Sequence, residues 1–459
     1  MMKESKASAE LNRIQIRVTP PGPEAKKIVK RDHDVLAKST KSLPIVARRA
    51  RGGVFVEDVD GNVYLDMASG ISVTNLGHVH PPRVTARVEE QLRKLWHFAG
   101  TDFYYEEQVL AAEELVSVTP GSFRKKVFFT NSGTESNEAA IKIAKAATGK
   151  QQFIGFIGGF HGRTQGSLSF TASKPIQKKG FFPPSMPGVE HVPFPDPYRN
   201  PFGIDGYEEP EELVNRTIDY IDRFVLKTYL PPENVAGFLV EPIQGEGGYV
   251  VPPKGFLRSL KKLADENGIL LMVDEVQTGF GRTGKFFASE HFGIEPEVLT
   301  VAKAIASGIP MGAAIVHERL DFPESGLHSN TFGGNVLASV ACIETIRVMK
   351  EEKVLDNVNR VGGPYLKKRL QELSERYECI GDVRGGIGLM LAIDFVRDRK
   401  TKEPARELRD RVEYKAFENG LILLSTGQSA IRIIPPLIIT EEQADMGVEA
   451  LERAIKASI

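Results

Sequence analysis

The chain has 459 residues, 41 % of them hydrophobic and 26 % charged, which excludes a disordered protein and exceeds what one ordinary core encloses. Its formal net charge of −1 sets no basic field for nucleic acid or an anionic membrane, and short basic runs such as Arg48-Arg49-Ala50-Arg51 read as solvated surface. Two cysteines (Cys342 and Cys379) make neither a disulfide framework nor a zinc site, no stretch approaches the roughly 18–20 apolar residues of a membrane helix, and the N-terminus lacks an apolar secretory core, so a reducing cytoplasm is expected.

In chain order, residues 1–30 are polar, carry Pro20-Pro21-Gly22-Pro23, and predict an extended arm rather than a helix. Residues 54–58 and 63–66 flank Asp60-Gly61 and predict a hairpin. From about residue 80, helical stretches at 83–96, 106–117, 135–147 and 255–267 alternate with short apolar runs at 127–130, 153–157, 236–240, 269–274 and 298–301. That alternation predicts an α/β fold, a mostly parallel sheet covered by helices. Residues 173–212, rich in Pro, Phe and Gly, predict a long ordered loop. A long helix at 336–351 then opens a second domain. The expected division is 1–79 as an arm with part of a smaller domain, 80–334 as the large domain, and 335–459 as the C-terminal small domain.

Several strand ends carry polar groups. Lys303 stands beyond the run at 297–301 and precedes small residues; it reads either as an exposed lysine or as a reactive amine. Open α/β sheets bind ligands outside the carboxyl ends of their strands. Asp274 and Glu275 end another apolar strand. A buried carboxylate needs a cationic partner or several donors. The protonated nitrogen of a pyridine ring is one such partner; a metal site or a helix cap are the other readings, and clustered histidines that would favour a metal are absent. Asn131-Ser132-Gly133-Thr134-Glu135 joins a strand to a helix start, which suits either a phosphate seat or a plain N-cap. Phe160-His161-Gly162-Arg163-Thr164 offers an aromatic face for a ring and a guanidinium for a carboxylate, or a core aromatic and a surface arginine. Gly279-Phe280-Gly281-Arg282-Thr283-Gly284 matches a dinucleotide fingerprint but lacks its strand-to-helix context, so it is read as a loop.

Together and in this order these segments resemble the class III (omega) aminotransferases of pyridoxal-phosphate (PLP) fold type I. The likeness runs from about Gly53 to the C-terminal region. It includes Val240-Glu241-Pro242-Ile243-Gln244-Gly245-Glu246, Val273-Asp274-Glu275-Val276-Gln277, Ala302-Lys303-Ala304, Ser329-Asn330-Thr331-Phe332-Gly333-Gly334-Asn335 and Ile431-Arg432-Ile433-Ile434-Pro435-Pro436. The resemblance implies that Lys303 holds PLP as a Schiff base and shuttles the proton, with Asp274 paired to the pyridine nitrogen. It implies cofactor contacts from Ser132, Gly133, Thr134, Phe160, His161 and Gln277, with Thr331 reaching from a partner subunit. Glu241 stands behind them. Glu246 and Arg432 match a gate that pairs internally or opens to a substrate carboxylate, and Arg163 matches a site for a second carboxylate. Phe55 and Ile71 stand where ornithine aminotransferases generally place tyrosines, and Ile71 looks like 4-aminobutyrate aminotransferase. The expected partners are an amino acid and a 2-oxo acid, in a homodimer or a dimer of dimers with shared sites, without metal, nucleic acid or membrane. Expected activities are transfer of an amino group from an ω-amino acid to 2-oxoglutarate or, because the segment Pro195-Asp196-Pro197-Tyr198-Arg199-Asn200-Pro201 looks like archaeal members, racemisation of neutral amino acids.

Overall fold

The computed structural model describes residues 13–39, 43–181 and 186–459. They form two compact units, Pro82–Leu355 and the described residues up to Pro81 together with Asp356–Ile459. Among the described residues no helix is long and apolar enough to cross a membrane, and no cluster of His, Cys, Asp and Glu is arranged to hold a metal ion.

The Pro82–Leu355 unit is built on seven strands: β1 (Lys125–Thr130), β2 (Gln152–Phe156), β3 (Val189–Val192), β4 (Val235–Val240), β5 (Leu270–Asp274), β6 (Val298–Val301) and β7 (Gly312–His317). Their order in the sheet is β1-β7-β6-β5-β4-β2-β3. Only β7 runs against its neighbours; the remaining pairs are parallel. Both faces are covered, which explains the uninterrupted apolar runs. Leu271 and Val273 pack with Phe238, Phe256 and Leu260 on one face, while Leu270 and Met272 pack with Leu239, Ile143 and Phe170 on the other. The mostly parallel α/β architecture is the expected one.

Three details differ from expectation. Within 173–212, the edge strand β3 pairs in parallel with β2, and a helix starts at Pro210. Four residues of Val-Glu-His-Val carry too little periodicity to announce a strand among prolines. β7 was also not expected; its Gly-Ala-Ala start is poor in strand formers, and pairing on both edges decides its conformation. The helix Val336–Glu351 belongs to this unit rather than opening the next, because its largely buried surface packs on the helices Pro82–Lys94 and Glu106–Val118.

In the other unit the expected hairpin forms, Phe55–Asp58 against Val63–Asp66. Leu421–Ile422 adds to it in parallel, so both ends of the chain share one sheet. A second sheet holds Ile380–Gly385, Leu391–Phe395, Ala430–Ile433 and Leu424–Thr426. The expected extended arm is corrected at its end: Pro23–Val35 is a helix, while residues 1–12 lie outside those described. Pro23 starts the helix, where its missing N–H costs nothing. The Glu24 and Ala25 N–H groups donate to the Asp60 carboxylate at 2.9 and 2.8 Å, a cap supplied from the hairpin turn 35 residues away from Ala25.

Candidate active site

The polar strand ends of the large unit converge at the carboxyl edge of one sheet. After β1, Ser132 caps the helix α1 (Gly133–Thr148), its hydroxyl accepting from Glu135 N–H at 3.4 Å. Glu135 in turn accepts from Asn131 N–H at 2.6 Å, which closes the turn. The N–H groups of Gly133 and Thr134, first in the helix, have no intrahelical acceptor and present a positive end. A Cβ on Gly133 would lie 2.7 Å from Val276 Cγ1, so the turn after β5 fits only against a bare backbone here. The Thr134 hydroxyl ties this turn to the next loop. It lies 2.8 Å from Thr164 Oγ1 and accepts from Arg163 N–H at 3.2 Å. Gly162 follows from that contact, since its Cβ would stand 2.2 Å from Thr134 Oγ1.

Asp274 ends β5 and is buried. Its Oδ2 accepts from Asn137 Nδ2 at 2.8 Å and faces His161 Nδ1 at 2.8 Å; its Oδ1 accepts from Val276 N–H at 3.0 Å. The same Nδ2 also donates to His161 O at 2.7 Å, and Asn137 Oδ1 accepts from Thr300 Oγ1 at 2.8 Å. Burial opposes the Asp274 charge, but the His161 hydrogen bond and charge, the Val276 N–H and the Asn137 amide together hold its carboxyl below the usual range. His161 Nε2 is buried and has no hydrogen-bond partner. Behind it, Glu241 accepts from Phe160 N–H and Gly245 N–H, each at 2.9 Å. Burial pushes Glu241 up to about 7 against the pull of His161, with Asp274 adding to the rise.

Lys303 follows β6, next to β5 in the sheet; Asp274 pairs in register with Thr300, three residues before it. Lys303 is half-buried and has φ of 50°, a left-handed conformation that costs a lysine on the order of 1–2 kcal/mol. Gln277 is buried and its Oε1 accepts from the Tyr249 hydroxyl at 2.6 Å. The Arg163 guanidinium lies 5.6 Å from the Phe160 ring centroid. Glu246 pairs with Lys174 at 3.1 Å. Thr331 is exposed, in a loop held to β1 by Asn330 donating to Phe129 O at 2.9 Å. The fingerprint-like loop at 279–284 is closed by Glu275, which accepts from Ala288 and Ser289 N–H, and no helix begins there.

Three residues singled out in the sequence belong to the other unit. Arg432 lies buried on the strand Ala430–Ile433 and donates to Ser425 O at 2.8 Å. Ile71 is exposed within a left-handed run, Ser69 to Ser72. Phe55 is wholly buried in the hairpin. Sequence reading missed Asn137, Lys174 and Tyr249. Only Asn137 carried a signal, a polar residue in the largely apolar buried stripe of α1.

The donor set fits PLP. A helix start with two free N–H groups suits a phosphate, and a buried carboxylate kept ionised suits a protonated pyridine nitrogen. The chain matches the aminotransferase class-III family over residues 35–455. It is 41 % identical to an alanine/serine racemase of Pyrococcus horikoshii, over 97 % of this chain and 93 % of that protein. It is 39 % identical to a 5-aminovalerate aminotransferase of Pseudomonas aeruginosa, over 89 % of this chain and 92 % of that one. Among solved structures it resembles a taurine:2-oxoglutarate aminotransferase of Bifidobacterium kashiwanohense in complex with PLP and glutamate, with a TM-score of 0.87 and 28 % identity over 96 % of this chain and 99 % of that one. With this fold, this edge of polar groups and these relatives, the chain belongs to the class-III aminotransferase family of PLP-dependent enzymes.

Proposed function

We propose that this enzyme removes and returns the Cα proton of neutral α-amino acids, racemising them. The observation that carries the Cα–H chemistry is Asp274, a buried carboxylate held ionised by His161, Asn137 and Val276 N–H. Inversion is favoured over amino transfer by the likeness to an alanine/serine racemase, which spans more of the chain than the likeness to a 5-aminovalerate aminotransferase.

When bound, PLP supplies an aldehyde that condenses with amines and a ring that takes up the electron pair left at a deprotonated carbon. The remaining work falls to the chain. The Gly133 and Thr134 N–H groups and the Ser132 turn bind the phosphate. Phe160 would hold the ring by stacking, and Gln277, its amide oriented by Tyr249, would serve the ring hydroxyl. Asp274 holds the proton on the ring nitrogen, and His161 holds Asp274. Lys303 carries the cofactor and moves the Cα proton at Nζ. Arg432 would take the α-carboxylate. Ile71 borders the substrate side chain. Thr331 serves the partner's site in a homodimer or a dimer of dimers.

Amino transfer from an ω-amino acid to 2-oxoglutarate is the second reading. Arg163 favours it, because an exposed guanidinium stacked on Phe160 suits a second carboxylate. Chiral chromatography of L-alanine, L-serine and L-leucine incubated with the PLP-loaded enzyme and no oxo acid tests the proposal. A racemase drives each substrate it accepts toward equal enantiomers. Absence of D-product, together with glutamate formed from 4-aminobutyrate or ornithine and 2-oxoglutarate, would replace it with the second reading.

A further inference from the structure

Gln277 lies just past β5 and is 8 % exposed. Its Oε1 accepts from the Tyr249 hydroxyl at 2.6 Å, and among the described residues its Nε2 has no acceptor. An amide N–H without an acceptor in so buried a place is costly, so it marks where a ligand oxygen is met. Two features hold the amide in this sense. A Cβ on Gly245 would stand 2.7 Å from Gln277 Nε2, so the turn after β4 packs on the amide through bare backbone. Tyr249 ends that same turn, its N–H donating to Gly245 O at 3.3 Å. It is wholly buried and has φ of 57°, a left-handed conformation that an aromatic residue seldom takes. Strain of this kind persists where the surrounding structure imposes it, and here it brings the hydroxyl onto Gln277. β4 and β5 are neighbours in the sheet, so both groups stand on one rigid edge.

We propose that Tyr249 is a positioning residue: it locks the Gln277 amide so that only N–H groups are offered to the cofactor, and thereby holds the cofactor's ring oxygen in its deprotonated form. The proposal rests on the assignment of Gln277 to the ring hydroxyl given above and adds what fixes its sense. An amide can turn over, presenting either its oxygen or its nitrogen. Turned over, Gln277 Oε1 would accept from a protonated ring hydroxyl. That orientation would deprive the Tyr249 O–H of its acceptor at Oε1. Gln277 therefore offers donors alone, and donors favour the ionised oxygen. The negative oxygen shares a proton with the nitrogen through which Lys303 holds the cofactor. A donor on the oxygen weakens its hold on that proton, so the nitrogen loses it at lower pH.

The test is a pH titration of the cofactor absorbance of the PLP-loaded enzyme, without substrate. Tyr249→Phe keeps the ring and removes only the hydroxyl. It should raise the titration midpoint by about one pH unit, a tenfold change in the proton equilibrium. Gln277→Met, which removes the amide itself, should raise the midpoint at least as far. In a Gln277→Met background, Tyr249→Phe should add nothing, because it acts through Gln277. A midpoint that moves in Gln277→Met but not in Tyr249→Phe overturns the proposal and leaves the Gln277 assignment standing. An equal further shift in the double variant also overturns it, since Tyr249 would then act by another route. If neither single variant moves the midpoint, the Gln277 assignment falls together with the proposal. The titration needs no turnover, so its outcome is independent of whether the enzyme racemises its substrate or transfers the amino group.

Discussion

Asp274 is buried, and three donors from three separate segments hold its carboxylate charge. Asp274→Asn keeps the shape but loses the charge, and is expected to lower turnover roughly 10³-fold, comparable to removing a preorganised electrostatic group. Steady-state rates with L-alanine check this, and a loss below tenfold contradicts the role. Glu241 titrates in the opposite sense. Its folded pKa of about 7 lies above the ordinary 4.5, so between these values the folded chain binds more protons than the unfolded one. Its contribution is present in full below pH 4.5 and is lost as pH rises through about 7. Glu241→Gln should flatten that part of the melting-temperature profile. The lowered Asp274 acts at more acidic pH, where its contribution is lost as pH falls. Asp274 and Lys303 stood out in the sequence because one ends a recognisable strand and the other follows just after one. Asn137 and the His161 hydrogen bond were not, since residues 113 and 137 positions from Asp274 share no local pattern with it.

Among elements, the start of helix α1 is tightly constrained. Gly133→Ala places a methyl group against Val276 and is expected to destabilise by about 1–3 kcal/mol while weakening PLP retention. Val276→Ala in the same chain should recover part of both losses, measured by thermal melts and cofactor release on dialysis; no recovery would mean the clash lies elsewhere. The helix Pro23–Val35 depends on a distant cap. Asp60→Ala removes the acceptor for two N–H groups, worth about 1 kcal/mol, and should raise protease cleavage within 23–35 ahead of any other site. The Pro-Gly-Pro run reads as a helix breaker until it is placed at a first turn, which no composition reveals.

For the whole molecule, the open question is assembly. Trp96, Phe98, Phe103 and Tyr104 are exposed, Tyr104 by 96 %, an unusual concentration of aromatics for a free surface. If they lie between subunits, light scattering after gel filtration gives at least twice the chain mass, and Trp96→Glu with Tyr104→Glu gives monomers that lose activity with Thr331; a monomeric parent enzyme contradicts this. By itself the sequence determined the α/β alternation, the helix and strand bodies, and the polar residues placed at strand ends, because apolar periodicity, caps and small-residue turns act within a few residues of one another. Only the tertiary structure decided the strands β3 and β7, the unit that takes the helix Val336–Glu351, the Asn137–His161 support of Asp274, and the pairing of Lys174 with Glu246. Each depends on groups from distant parts of the chain meeting in a low-dielectric interior or on a sheet edge, where hydrogen bonding and charge pairing override local preference.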